Sequence, residues 1–156
     1  MSFDYYVAIR RDKWPTAAAV QAKLEQFGYP LDLEQTPDLP FSLPPDSFMV
    51  PTVLEGRSVG LEADIEQATD ADDPESRFGY WAKKAAPAFE ISNGDYFLAL
   101  TFRDNIDQIR AGLYLAAAMI LGFEGYGFEN QFETHGRVDF ADQLLLEAST
   151  VSGFES

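Results

Sequence analysis

A chain of 156 residues, 46% hydrophobic and 14% aromatic, is long enough to bury a sizeable core, which argues against general disorder and any need for a metal or disulfide to fold. A net charge of −15, from 26 acidic and 11 basic residues, argues against nucleic acid and anionic membrane surfaces as partners, because both are bound through lysine and arginine. The absence of cysteine removes disulfide frameworks, thiolate zinc sites and cysteine nucleophiles together.

The length predicts one α+β domain over residues 1–156. Its first element is a strand, Phe3 to Arg10, in which Phe3, Tyr5, Val7 and Ile9 share one face while Tyr6 and Ala8 make the other apolar as well. Thr16 is placed to cap a helix whose stripe is Val20, Leu24 and Phe27, with Gly28 as its C-terminal stop. Leu31 to Glu34 reads as a short strand. Residues 36–51 carry five prolines, which predicts an extended, irregular connection; the interleaved Leu39, Phe41, Leu43 and Phe48 favour packing along the domain over service as a docking ligand.

A hairpin is expected next, Phe48–Leu54 and Ser58–Glu66 flanking Glu55-Gly56-Arg57. Asp73 and Pro74 read as the cap and first residue of a helix with Phe78, Trp81, Ala82 and Ala85 on its apolar face, stopped by Pro87. Asn93-Gly94 between Phe89–Ser92 and Asp95–Phe102 is the pattern of a type I′ hairpin. Asn105 and Gln108 have the spacing of a capping box for a helix over 106–121. That helix is apolar nearly all round, as a buried core helix or one face of an oligomer would be; its apolar run is too short to span a bilayer. A strand over Tyr126–Phe132 and a helix opened at Asp139, with Phe140, Leu144 and Ala148 on one stripe, complete the chain. The echo between Asp4–Ile9 and Asp95–Leu100 suggests two strand-helix-strand units around a central hairpin, so the expected fold is a mainly antiparallel sheet with three to four helices packed on it.

Charge is concentrated in the middle. Residues 31–80 hold two basic and twelve acidic groups, for −10, against +1 for residues 1–30 and −6 for residues 81–156. Glu62, Asp64 and Glu66 share one face of a predicted strand whose other face is Leu61, Ala63 and Ile65. Such a row suits a cation or a basic surface, and equally a solvated face that discourages edge pairing. Asp70, Asp72, Asp73 and Glu75 form a second cluster, which lacks the glycine and glutamate of a calcium loop. His135, the only histidine, lies in a predicted turn, with Glu133 and Asp139 near it in sequence as carboxylates that would orient a general base. Phe78, Tyr80 and Trp81 beside Lys83 and Lys84 are a recognition patch in one reading and core in the other.

No nucleophile elbow, Walker loop or dinucleotide fingerprint is present, so no catalytic residue, metal ligand or cofactor is assigned. The expectation is a non-enzymatic, acidic protein-binding module, of the inhibitor or immunity type, that meets a basic partner through Glu62, Asp64, Glu66, Asp70, Asp72 and Asp73. A small carboxylate- or metal-dependent hydrolase or isomerase, and a homo-oligomeric structural domain, are the alternatives. With no basic, apolar leader at Met1-Ser2-Phe3-Asp4, a soluble, cytoplasmic location is expected.

Overall fold

The computed structural model describes residues 3–33, 48–103, 105–129 and 134–150. They form one antiparallel sheet with helices on both faces. The strands are β1 (Phe3–Ile9), β2 (Leu31–Leu33), β3 (Phe48–Leu54), β4 (Arg57–Gln67), β5 (Tyr96–Phe102), β6 (Tyr126–Glu129) and β7 (His135–Gly136), in the order β2-β3-β4-β5-β1-β6-β7. The helices are α1 (Ala17–Phe27), α2 (Arg77–Ala85), α3 (Ile106–Gly122) and α4 (Val138–Thr150). Two strand-helix-strand units, β1-α1-β2 and β5-α3-β6, do surround the β3–β4 hairpin, as the internal echo suggests. Both are long crossovers: three strands separate β1 from β2, and β1 itself separates β5 from β6.

The main core lies between the sheet and a layer of α1, α3 and α4. Val7 and Ile9 of β1, Leu61, Ala63 and Ile65 of β4, and Leu98, Leu100 and Phe102 of β5 face Val20 and Leu24 of α1, Leu113 and Met119 of α3, and Leu144 of α4. Flanked by α1 and α4 and seated on the sheet, α3 buries nearly its whole circumference. Its all-round apolarity is therefore consumed inside the chain and carries no argument for an oligomer. Among the described residues the exposed large hydrophobics are Tyr80, Val138 and Leu146.

The capping residues read from sequence hold for two helices. Thr16 Oγ1 accepts from Ala19 N at 3.1 Å, and Gly28 closes α1 at φ +73°. Asn105 Oδ1 accepts from Gln108 N at 2.9 Å. The reciprocal half of that capping box is missing, because Gln108 Oε1 takes Arg103 N at 3.3 Å and its amide donates to Gly60 O at 3.0 Å. The helix tied to Asp73-Pro74 starts later: Ser76 caps α2, accepting from Gly79 N at 2.9 Å, while Asp73 Oδ1 closes a turn onto Glu75 N at 2.9 Å. The β3–β4 connection is also tighter than expected. Leu54 pairs with Arg57, leaving Glu55 (φ +50°) and Gly56 (φ +86°) as a two-residue turn, the left-handed pair that a type I′ hairpin needs. Side chains pin its tip to α3, Arg57 forking onto Asp107 at 3.0 and 2.7 Å and Arg110 Nη1 donating to Glu55 Oε1.

The Asn93-Gly94 hairpin does not form. Residues 89–92 are not a strand, because both edges of β5 are taken by β4 and β1. Gly94 N instead donates to Ala68 O at 2.9 Å, Asp95 Oδ2 accepts Ser92 N at 2.8 Å, and Asn93 Oδ1 accepts Ala71 N at 2.8 Å. The segment so held buries Phe89 and Ile91 with α2 on the second face of the sheet. Pro51 sits in β3 one residue beyond Thr52, the last β3 residue that pairs with the described part of β2. The docking and packing expectations for residues 36–47 lie outside the described residues.

A half-buried carboxyl gives the fold a pH signature. The Tyr5 hydroxyl donates to Glu147 Oε2 at 3.2 Å across the β1–α4 contact. Burial pushes the Glu147 carboxyl up from its ordinary range and the nearby Glu129 adds to this, against hydrogen bonds from Tyr5 and Gln143. A carboxyl with a raised folded-state pKa binds its proton more tightly when folded, so its contribution is fully present below the unfolded pKa and is lost as pH rises through the folded one. Glu147→Gln is therefore expected to raise the melting temperature relative to the parent at pH 7. The difference should shrink toward pH 4, and thermal melts across that range check it; a variant equally or less stable at pH 7 contradicts the assignment.

Candidate functional site

The second face of the sheet is only partly covered. α2 and residues 86–95 roof one end, where Ala8, Phe97, Tyr126 and Phe128 pack under Phe78, Trp81 and Ala85. Trp81 is the hub: its ring lies 4.5 Å from Tyr6, 5.2 Å from Phe97 and 5.8 Å from Phe128. Of the aromatic–lysine patch, Phe78 and Trp81 are therefore core, and Tyr80 is the ring left 44% exposed.

Beyond this roof the face is open among the described residues, and the alternation of β4 fills it with acids. Leu61, Ala63 and Ile65 are buried, while Glu62, Asp64 and Glu66 are each half-buried on the opposite side. The register extends the row across three strands. Glu62 and Asp4 both lie opposite Thr101, and Asp64 and Tyr6 both lie opposite Ala99. Asp4 Oδ1 accepts the Thr101 hydroxyl at 2.9 Å. Because β4 is an interior strand, this row cannot serve to discourage edge pairing.

The chain's own arginines stand at either end of the row. Arg103 forks onto Glu62 with bonds of 2.8 and 2.9 Å, and this hydrogen bonding holds the Glu62 carboxyl below the usual carboxylate range. Arg77 Nη2 meets Glu66 Oε1 at 2.7 Å while its guanidinium lies 4.8 Å from the Phe78 ring centre and 5.5 Å from that of Trp81. The Asp64 carboxylate, between them, has no hydrogen bond or ion pair within the described residues. Burial, then the Asp4 carboxylate, pushes the Tyr6 hydroxyl above the ordinary phenol range, with Arg77 opposing. Tyr6 therefore stays neutral and available as a donor at physiological pH.

The structure does not gather all six sequence-predicted residues into one row. Asp70, Asp72 and Asp73 are exposed on the loop between β4 and α2. Asp70, at φ +53°, and Asp73 lend their backbone oxygens to the Ser76 hydroxyl at 2.6 and 2.8 Å. Asp72 lines a separate open groove of about 490 Å³ with Pro74, Lys83 and Glu90. Among the described residues no three His, Asp or Glu side chains are placed to hold a metal ion.

His135 lies in β7, not in a turn, opposite Phe128. Its Nδ1 meets the Tyr126 hydroxyl rather than Asp139, and Glu133 lies outside the described residues. The cavity it borders, with Tyr6, Trp81, Lys84 and Phe128, measures about 20 Å³, room for little more than one water. Three participants of the open face were missed in the sequence. Asp4, Tyr6 and Thr101 reach it through pairings between distant strands; the period-two position of Tyr6 and Asp4 on β1 was the signal that could have found them.

No protein-family model matches the chain, and no curated protein or solved structure matches it. No helix among the described residues is long and apolar enough to cross a membrane.

Proposed function

We propose that the chain is a non-enzymatic protein-binding module that presents the open, acidic half of its sheet to a basic partner, as an inhibitor or immunity-type protein would. One observation carries this reading. Interior strands β4, β5 and β1 turn Glu62, Asp64, Glu66, Asp4, Thr101 and Tyr6 outward as a half-buried row, with no described element packed over its middle. A rigid row of acids interrupted by small and aromatic side chains favours a complementary basic surface through faster encounter and like-charge rejection of wrong partners. Asp70, Asp72 and Asp73, on the loop that leaves β4, extend the acidic field beyond the row. The hydrolase alternative gains no support from a 20 Å³ cavity beside the sole histidine.

The test is capture from the native host's lysate, washed at low and then high salt, with mass spectrometry of what elutes. The wild-type chain is expected to retain a basic protein that salt releases. The triple variant Glu62→Gln, Asp64→Asn, Glu66→Gln removes three charges and frees Arg77 and Arg103, so its capture at low salt should fall by about tenfold or more. Retention of the same protein by a folded triple variant would sink the proposal. The companion variant Asp70→Asn, Asp72→Asn, Asp73→Asn measures the loop's share.

A further inference from the structure

We infer that the acidic face contains a slot for one arginine of its partner, floored by Ala99 and walled by Asp64 and Tyr6. This rests on the protein-binding reading and names the chemistry that the face would select.

The slot follows from register. Asp64 and Tyr6 flank Ala99 on the two neighbouring strands, so their backbones stand about 9–10 Å apart, two strand spacings, with only a methyl group between them. The missing bulk of the middle residue leaves a side-chain-sized gap perpendicular to the sheet. One wall is a half-buried carboxylate with no hydrogen bond or ion pair within the described residues. The other is a neutral aromatic ring that continues, at 4.5 Å, onto Trp81.

The chain already shows what such a pair of walls holds. One step along β4, the Arg77 guanidinium lies between the Glu66 carboxylate at 2.7 Å and the rings of Phe78 and Trp81. One step the other way, Arg103 forks onto Glu62. Asp64 and Tyr6 repeat the carboxylate-and-ring arrangement at the position for which the described residues supply no cation. A planar guanidinium can fork onto Asp64 and stack on Tyr6 together, and a lysine ammonium cannot do both. Asp4, on the same face beyond Thr101, adds charge of the right sign.

Two peptides test the slot, one alternating arginine with glycine and one alternating lysine with glycine, each with five cations. Binding to the full chain is followed by amide shifts and calorimetry. The arginine peptide is expected to bind about tenfold more tightly, with the largest shifts at Tyr6, Asp64 and Ala99. Ala99→Leu fills the gap without changing charge and should abolish this preference while leaving weaker, salt-sensitive binding of both peptides. Asp64→Asn, a milder change, should do the same, which covers the case in which the leucine variant misfolds. Equal binding of the two peptides, or a preference that survives Ala99→Leu in a folded protein, overturns the slot and leaves the acidic-face reading standing. If neither peptide binds, the slot is likewise overturned, and salt-released capture from lysate decides the face on its own.

Discussion

Trp81→Ala is expected to lower the unfolding free energy by about 3–5 kcal/mol, the cost of removing a buried aromatic that its surroundings cannot replace. Trp81 is 7% exposed and touches Tyr6, Phe78, Phe97 and Phe128, so it joins β1, β5 and β6 to the helix that roofs them. α2 is nine residues long, too short to persist by its own propensity; its apolar face is what keeps it on the sheet. Urea unfolding should therefore show a lowered midpoint, and amide exchange should show α2 losing protection beyond the rest of the chain. Its neighbour provides the control. Tyr80, 44% exposed, should cost no more than about 0.5 kcal/mol when replaced by alanine. Equal losses at the two positions would mean that α2 is not anchored as described. The same variant bears on binding, since detaching α2 withdraws Arg77 from Glu66 and from the aromatic shelf.

Gly112→Ala should destabilise the protein by about 1–3 kcal/mol, although helix propensity alone predicts a gain of about 1 kcal/mol for the same change. The sign separates the two effects. A methyl group at position 112 of α3 would overlap the ring of Phe102, a β5 side chain that is fully buried and packs 5.0 Å from Tyr5. The glycine is there so that α3 can lie close on the sheet at that ring. Phe102→Leu should cost stability alone, but less in the Gly112→Ala background, giving a coupling of about 0.5–3 kcal/mol in a double-mutant cycle by chemical denaturation. Strict additivity, or a stabilising Gly112→Ala, would contradict the packing.

The features legible in the sequence are those that a few consecutive residues specify. Thr16 and Asn105 were readable as caps because a cap bonds an amide three residues on. The burial of one side of β4 and the acidity of the other were readable because neighbouring side chains on a strand point opposite ways. Where a local motif failed, a competing hydrogen bond or strand pairing held the segment instead. Asn93-Gly94 has the composition of a hairpin turn, but Ala68, Ala71 and the Asp95 carboxylate hold that segment elsewhere. Asp73-Pro74 has the composition of a helix start, but the Ser76 hydroxyl, bonded to the oxygens of Asp70 and Asp73, provides the working cap. His135 is held as a strand residue opposite Phe128, a pairing that its own tetrapeptide does not announce.

By itself the sequence determined that Glu62, Asp64 and Glu66 share a face and that the middle of the chain is strongly acidic, and its internal echo suggested two strand-helix-strand units around a hairpin. These follow from side-chain periodicity, net charge and the order of elements, all of which are properties of short stretches or simple sums. Only the tertiary structure decided that β4 is an interior strand, that Thr101, Ala99, Tyr6 and Asp4 stand beside the acids, and that α2 stops short of covering them. Those outcomes rest on pairings between residues up to 99 positions apart, Phe3 with Phe102 being the longest in the β1–β5 ladder. Such pairings are selected by how whole faces bury one another, which no local pattern encodes.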